Sequence, residues 1–331
     1  MNFNPQNILV IHFGQMGDVV LALPALKAIR RKFPASKMTA LVGKTGATVA
    51  RLAGVFDDEI VVDRVELRDG SRLGSINKIR LLVKEVRRRK FDFIIDLHSL
   101  SETNLLGFLS GTRARLYANR ENRSLDFLAK FPEKPPREDK TKHFTERYLD
   151  VLKPLGIENV SHYAKIEPPG DDSAEMKKRF RDLGLEGKRL VGLFPGAGHP
   201  NRRWGVKKFA ALAKSLEAAD DCGVLIFLGP EETDLLDEIK SEFPKNAIIL
   251  NKLTIFQLVA ALSLLNVFVS NDTGPMHLAA VAGAHVVMIS DERAPTCFYP
   301  LAEKLEVVRI RKLHELTVED VLEATLKLLN E

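Results

Sequence analysis

The stretch Ser270-Asn271-Asp272-Thr273-Gly274-Pro275-Met276-His277 orders its groups in a way that suits anion binding. Val267–Ser270 reads as a buried strand, and a helix is expected to begin near Pro275. Asp272 or Thr273 is expected to cap that helix by accepting from a free backbone N–H. Pro275 suits the first helical position, and Gly274 permits a tight turn and close approach of a ligand. A helix start at the carboxyl end of a parallel strand offers free N–H groups and a positive dipole end, so it attracts phosphate. His277 could reach the same ligand from the first turn. A plain capped helix with a packed histidine accounts for these residues equally well when the stretch is taken alone.

Further loops share its character. Gly14-Gln15-Met16-Gly17 reads as a turn, with Asp18 opening a helix. Asp18 could be the N-cap, or a general base at the mouth of a first domain, facing a second. The turn is not a dinucleotide fingerprint, which needs glycine at the positions held by Met16 and Val19, and no Walker-type phosphate loop occurs. Pro195–Trp204, PGAGHPNRRW, combines glycines with Arg202 and Arg203, which can neutralise phosphate oxygens; a solvated surface loop is the alternative. Gly229–Glu232 is another such loop. There is no Asp-x-Asp pair and no His/Cys cluster with ligand spacing, so no metal is indicated. A leaving diphosphate would have to be neutralised by arginines and helix ends.

These residues sit in a repeating strand–turn–helix rhythm. Expected strands are Asn7–Phe13, Met38–Val42, Glu59–Val62, Phe93–Leu97 and Ala114–Tyr117. Expected helices are Asp18–Lys32, Thr48–Gly54, Ile76–Lys90 and Glu102–Leu109, then His143–Leu155 after a charged, proline-containing loop, Arg120–Lys142. Glu167-Pro168-Pro169-Gly170 reads as the linker. The rhythm then restarts. Strands are expected at Leu190–Phe194, Gly223–Leu228, Ala247–Leu250, Val267–Ser270 and His285–Ile289. Helices are expected at Ala174–Leu183, Val206–Ala219, Glu231–Phe243, Ile255–Leu265 and Val318–Leu329. The chain therefore reads as two doubly wound α/β domains in tandem, residues 1–168 and 169–312, with a closing helical segment at 313–331. In such sheets ligands gather at the carboxyl ends of the strands, where all of these loops fall. Three of the four belong to the second domain, which marks it as the nucleotide side.

Bulk properties narrow the class. Of 331 residues, 45% are hydrophobic and 28% charged, as in a soluble globular protein. Two cysteines imply no disulfide framework and fit a reducing cytoplasm. No secretory signal and no membrane-spanning run is read. Residues 1–168 hold 29 Lys+Arg against 20 Asp+Glu, whereas residues 169–331 hold 20 against 24. A basic first half suits an anionic partner such as a phosphorylated substrate, a lipid surface or nucleic acid. Nucleic acid is disfavoured because no helix-turn-helix, RNP or zinc pattern occurs.

Three stretches, ILVIHFGQMGDVVLALPAL (8–26), FPGAGHPNRRW (194–204) and SNDTGPMHLAAVAG (270–283), together make the chain resemble glycosyltransferase family 9. These are the heptosyltransferases of the lipopolysaccharide inner core. The resemblance implies GT-B architecture: two Rossmann-like domains with a cleft between them, acceptor on the first, nucleotide sugar on the second, and a last helix packing back on the first. It implies inverting, metal-independent transfer from ADP-heptose to a sugar hydroxyl, with the ADP-sugar as substrate and no cofactor. Asp18 would be the catalytic base. Arg202, where the family usually has lysine, would stabilise departing ADP. Asp272, Thr273, Gly274 and His277 would contact phosphate and sugar, with Arg203 beside them and Glu232 on the ribose. Ala197, Gly198 and Leu253 would lie near the nucleotide. Lys44, Arg68, Arg72, Arg120 and Arg123 are candidates for an anionic glycolipid acceptor at a membrane surface, which implies a cytoplasmic or peripheral location. Gly205, where a proline is common, and Ser290–Arg293, where a glycine-containing loop with a threonine is usual, depart from the family. A GT-B enzyme with another nucleotide sugar or acceptor, an epimerase of that architecture, and a non-catalytic nucleotide binder remain open alternatives.

Overall fold

A strand covered on both faces must be apolar throughout, and that is how the central strands of this chain read. The computed structural model describes residues 3–330 apart from 65, 67–71, 220, 221 and 246. It divides into two units, Met1–Ala164 and Lys165–Glu331.

The first unit is a parallel sheet of β1 (Asn7–His12), β2 (Lys37–Gly43), β3 (Asp58–Val62), β4 (Phe93–Asp96) and β5 (Ala114–Tyr117), in the order β3-β2-β1-β4-β5. Its helices are α1 (Met16–Lys32), α2 (Lys44–Leu52), α3 (Arg72–Arg88), α4 (Ser101–Leu109) and α5 (Phe144–Asp150). Leu9, Ile11, Leu41, Ile94 and Tyr117 anchor a core on one face.

The second unit is a parallel sheet of β6 (Arg189–Phe194), β7 (Cys222–Leu228), β8 (Ile248–Asn251), β9 (Val267–Asn271), β10 (His285–Asp291) and β11 (Leu305–Ile310), in the order β11-β10-β9-β6-β7-β8. Its helices are α6 (Gly170–Asp182), α7 (Val206–Ala219), α8 (Leu236–Glu242), α9 (Ile255–Leu262), α10 (Gly274–Ala282) and α11 (Val318–Asn330). Each unit thus has the doubly wound order, and strand order reverses between β1 and β4 in one and between β6 and β9 in the other. Loops leaving the carboxyl ends of those strands diverge and leave a crevice.

Several expectations need correcting. Helix α1 starts at Met16, with Gln15 at the N-cap, so Asp18 is the third helical residue and not the cap. Gly170, expected in the linker, opens α6 with Pro169 at the N-cap. The expected helix His143–Leu155 breaks into α5 and a short 3₁₀ turn, Lys153–Leu155, at Pro154. Glu231–Phe243 is a 3₁₀ segment, Pro230–Leu235, followed by α8. Strand β11 was not expected. The unit boundary falls at Ala164/Lys165, ahead of the proline-rich stretch. The segment after 312 falls in the second unit, where Val321, Leu328 and Leu329 of α11 are buried with Val287 and Ile289 of β10. No helix among the described residues is long and apolar enough to cross a membrane.

Candidate functional site

In the first unit the crevice lies beside Gly14 and Asp18. The half-buried Asp18 carboxylate accepts from the Gln15 N–H at 2.8 Å, which fixes its rotamer at the mouth of the first turn. Burial raises its pKa above the ordinary 3.8, offset by the Gln15 hydrogen bond and the charge of Arg120. A Cβ placed on Gly14 would lie 2.4 Å from Asp18 Cβ and 2.6 Å from His12 Cε1, so glycine is required there by close approach. His12 is buried, and its Nδ1 accepts the Gly14 N–H at 3.3 Å, which leaves the ring proton on Nε2. Burial, then Arg120, lowers its pKa to about 3, so the imidazole beside Asp18 is neutral. His98, on the loop after β4, is held down to about 2 by burial and by His12.

That second loop is locked by Asp96, which accepts from the Ser99 N–H at 2.7 Å and from Asn104 Nδ2 at 2.8 Å. Ser99 adopts a left-handed φ of 44°, held further by its hydroxyl on the Asp96 carbonyl and by the Ala118 N–H on that hydroxyl. Burial pushes the Asp96 carboxyl up to about 6. His12, Asp96, His98 and Ser99 were not singled out from the sequence. The Asp96-x-x-Ser99 spacing is the signal that could have found the loop.

The expected acceptor residues separate. Arg120 is only 7% exposed; it donates to the His98 carbonyl at 2.7 Å and pairs with half-buried Glu138 at 3.3 Å. It is a buried counter-charge, not a surface phosphate ligand, which corrects the expectation. Lys44 is exposed at the start of α2 and pairs with Asp63 at 2.8 Å. Arg123 is exposed. Arg68 and the side chain of Arg72 lie outside the described residues.

In the second unit one buried side chain joins both loops of the crevice. Asn271, the last residue of β9, donates through Nδ2 to the Pro195 and Gly196 carbonyls, each at 3.0 Å, and accepts the Trp204 N–H at 3.0 Å. It clamps residues 195–204 against the start of α10. Sequence reading passed over it; an amide ending an apolar strand was the available signal. Trp204 is buried, and its indole N–H donates to the Leu316 carbonyl at 3.1 Å.

Arg202 and Asp272 meet at 3.9 Å and line a cavity of about 210 Å³ with His199, Ser290, Asp291 and Arg293. Burial raises the Asp272 pKa, and Arg202 works against that shift. Thr273 is the N-cap of α10 but makes no side-chain cap bond, so the expected capping by Asp272 or Thr273 does not occur. Gly274 opens the helix, and His277 is buried within its first turn. Glu232 is buried against Gly196: a Cβ there would lie 2.6 Å from its Oε1, while Oε2 accepts the Gly229 N–H at 3.0 Å. Burial raises its pKa, with the Gly229 hydrogen bond opposing. Ala197 is buried and Gly198 exposed on the same loop; Leu253 is half-buried between β8 and α9. Arg203 is engaged elsewhere, pairing with Asp234 at 2.7 Å. It does not join Arg202 at the cavity, contrary to expectation. No group of three or more His, Cys, Asp or Glu side chains among the described residues could hold a metal ion.

Residues 79–325 match the profile of glycosyltransferase family 9 (heptosyltransferase). The chain belongs to glycosyltransferase family 9. It is 33% identical over 287 residues to lipooligosaccharide heptosyltransferase 2 of Campylobacter jejuni subsp. jejuni serotype O:2, covering 83% of this chain and 77% of that protein. Its fold is shared by the family 9 glycosyl transferase of Veillonella parvula, with a TM-score of 0.85, 23% identity and coverage of 100% and 99% of the two chains. It is shared also by the Escherichia coli heptosyltransferase WaaC solved with ADP, with a TM-score of 0.79, 18% identity and coverage of 98% and 100%. This family 9 member is a glycosyltransferase with the GT-B fold.

Proposed function

We propose that this enzyme transfers a heptose from ADP-heptose to a sugar hydroxyl of the lipopolysaccharide inner core, with inversion and without a metal. The observation that carries the reading is the pairing of sites by topology. One unit holds a rotamer-locked, raised-pKa carboxylate at its strand-order reversal. The other holds a cation and an uncapped helix start at its own. The WaaC complex with ADP supports ADP as the nucleotide.

In this reading the acceptor hydroxyl oxygen attacks the anomeric carbon while the Asp18 carboxylate takes its proton. The raised pKa makes Asp18 a stronger base than a solvated aspartate. The bond between the anomeric carbon and phosphate oxygen breaks on the opposite face, and ADP leaves with the electron pair. Arg202 and the first N–H groups of α10 stabilise the growing charge. Asp272, Thr273, Gly274 and His277 fix the diphosphate and sugar, and the Glu232 carboxylate faces the ribose diol. Ala197, Gly198 and Leu253 border the nucleotide. Lys44 and Arg123 are the described cations left to meet an anionic glycolipid, with Arg68 and Arg72 completing the set.

Calorimetric titration with ADP, UDP and GDP tests the donor half, with ADP expected to bind tightest. A mass-spectrometric assay pairing ADP-heptose with defined lipid A–sugar acceptors tests the rest. Preference for UDP or GDP would assign another nucleotide sugar, and ADP binding without turnover on any such acceptor would remove the proposed acceptor class.

A further inference from the structure

Ser290-Asp291-Glu292-Arg293 leaves the carboxyl end of β10, and the reaction above gives it no role. Yet Ser290, Asp291 and Arg293 line the same cavity as Arg202 and Asp272. Strands β9 and β10 are paired with Ile289 opposite Asn271, so Asp272 and Asp291 leave adjacent strands within two residues of that pair. Two carboxylates thus border one space of about 210 Å³. The charge on Asp291 reaches its neighbour: it adds to burial in raising the Asp272 pKa.

Asp291 is held in place. Its Oδ1 accepts the Arg293 N–H at 2.7 Å, and its Oδ2 accepts from the Arg293 guanidinium at 2.8 Å. That guanidinium, helped by the backbone N–H, holds the carboxyl below the usual carboxylate range, so it is ionised at neutral pH. The main chain is fixed from β11, where the Arg309 guanidinium donates to the carbonyls of Asp291 at 3.4 Å, of Ala294 at 3.1 Å and of Glu292. A carboxylate has about four acceptor positions, and the loop itself fills two of those on Asp291. The remaining two need donors. A diphosphate has none to offer and is repelled by two carboxylates, whereas the hydroxyls of a sugar donate to them. Arg202 marks the phosphate end of the cavity. We infer that Asp291 is a ligand of the donor sugar, its carboxylate accepting from hydroxyls of the transferred residue while Arg293 and Arg309 hold it in position. The inference rests on the proposed use of a nucleotide sugar by this unit.

Calorimetric titration of the full chain with ADP and with ADP-heptose, in the absence of acceptor, separates sugar from nucleotide. The parent is expected to bind ADP-heptose more tightly than ADP. Asp291→Ala should weaken ADP-heptose about 10- to 100-fold, with ADP affinity unchanged or improved because a negative charge leaves the cavity. Asp291→Asn keeps one acceptor oxygen and should fall between. Arg293→Ala keeps the backbone N–H on Asp291 and should cost about threefold for ADP-heptose and nothing for ADP. Circular dichroism and the ADP titration establish that the variants are folded; should Asp291→Ala not fold, Asp291→Asn carries the test. A merely structural role for the loop would lower both affinities together, and that result would overturn the inference. So would Asp291 variants that bind ADP-heptose like the parent, or a parent that gains nothing from the sugar. Loss of ADP affinity in Arg293→Ala would give the loop to the diphosphate and overturn it as well. A parent that binds no ADP removes the donor reading and this inference with it, whereas Asp291 variants that keep the sugar's gain remove the inference alone.

Discussion

Replacing Asn271 by alanine removes three hydrogen bonds of 3.0 Å from a fully buried position. At roughly 1 kcal/mol net for each bond, the loss is about 3 kcal/mol, and more if the Pro195 and Gly196 carbonyls stay dry. The chain contains a single tryptophan, and it is Trp204, whose backbone N–H is one of the three partners. Urea unfolding followed by its fluorescence therefore reports on the second unit by itself, which matters because a two-unit chain need not unfold in one step. With a slope of about 2 kcal/mol per molar, the transition should move down by about 1.5 M. ADP affinity should fall in parallel, because residues 195–204 lose their tie to the start of α10. Asn271→Asp makes the argument sharper. It keeps an acceptor for Trp204 but sets a carboxylate against two carbonyls, so it should be at least as damaging at neutral pH and partly relieved at acid pH. A fluorescence midpoint that hardly moves in the alanine variant, with ADP affinity unchanged, would refute the idea that this amide holds the two loops together.

Other substitutions probe the chemistry directly. Asp18→Asn should lower kcat by about 10²–10⁴-fold while leaving ADP affinity intact, and full turnover would remove the base assignment. The carboxylate is the working form of Asp18, so kcat/KM should fall as pH drops through its raised pKa, with a midpoint above 3.8; a limb at or below that value would show that burial does not tune it. Arg202→Ala should cost about a hundredfold in kcat, with partial recovery in Arg202→Lys, and an unchanged rate would exclude it from leaving-group stabilisation. Gly14→Ala drives a methyl into Asp18 and His12. A fall of about a hundredfold in kcat is expected without loss of fold, and an active variant would mean that the precise placement of Asp18 is unimportant.

The doubly wound fold was legible because its strands are buried on both faces and so read as unbroken apolar runs, as in Ile8–Ile11 and Gly223–Leu228. Strand β11 escaped because it lies at a sheet edge, half exposed, with Glu306 and Arg309 interrupting its apolar pattern. Helix starts were set late where the N-cap is Gln15, Gly43 or Pro169, whose side chains make no cap bond. The second-unit loops were found because glycine, arginine and aspartate cluster there. What could not be read was which cations are already spoken for. Arg120 and Glu138 are brought together by the turn of a long charged segment, and Arg203 meets Asp234 across two loops. Nothing in local spacing separates those arginines from Arg202, whose guanidinium lies on the cavity.

The indole of Trp204 takes its acceptor from Leu316, and the Lys208 ammonium donates to that same carbonyl at 2.6 Å. The carboxyl-terminal tail is thus stitched beneath the loop that carries Arg202. A premature stop codon ahead of residue 316 would spare every residue assigned a chemical role and still unmoor the loop that carries Arg202. Inactivating lesions in this gene should therefore extend well downstream of its recognisable motifs, and ADP titration of such a shortened chain would reveal the damage.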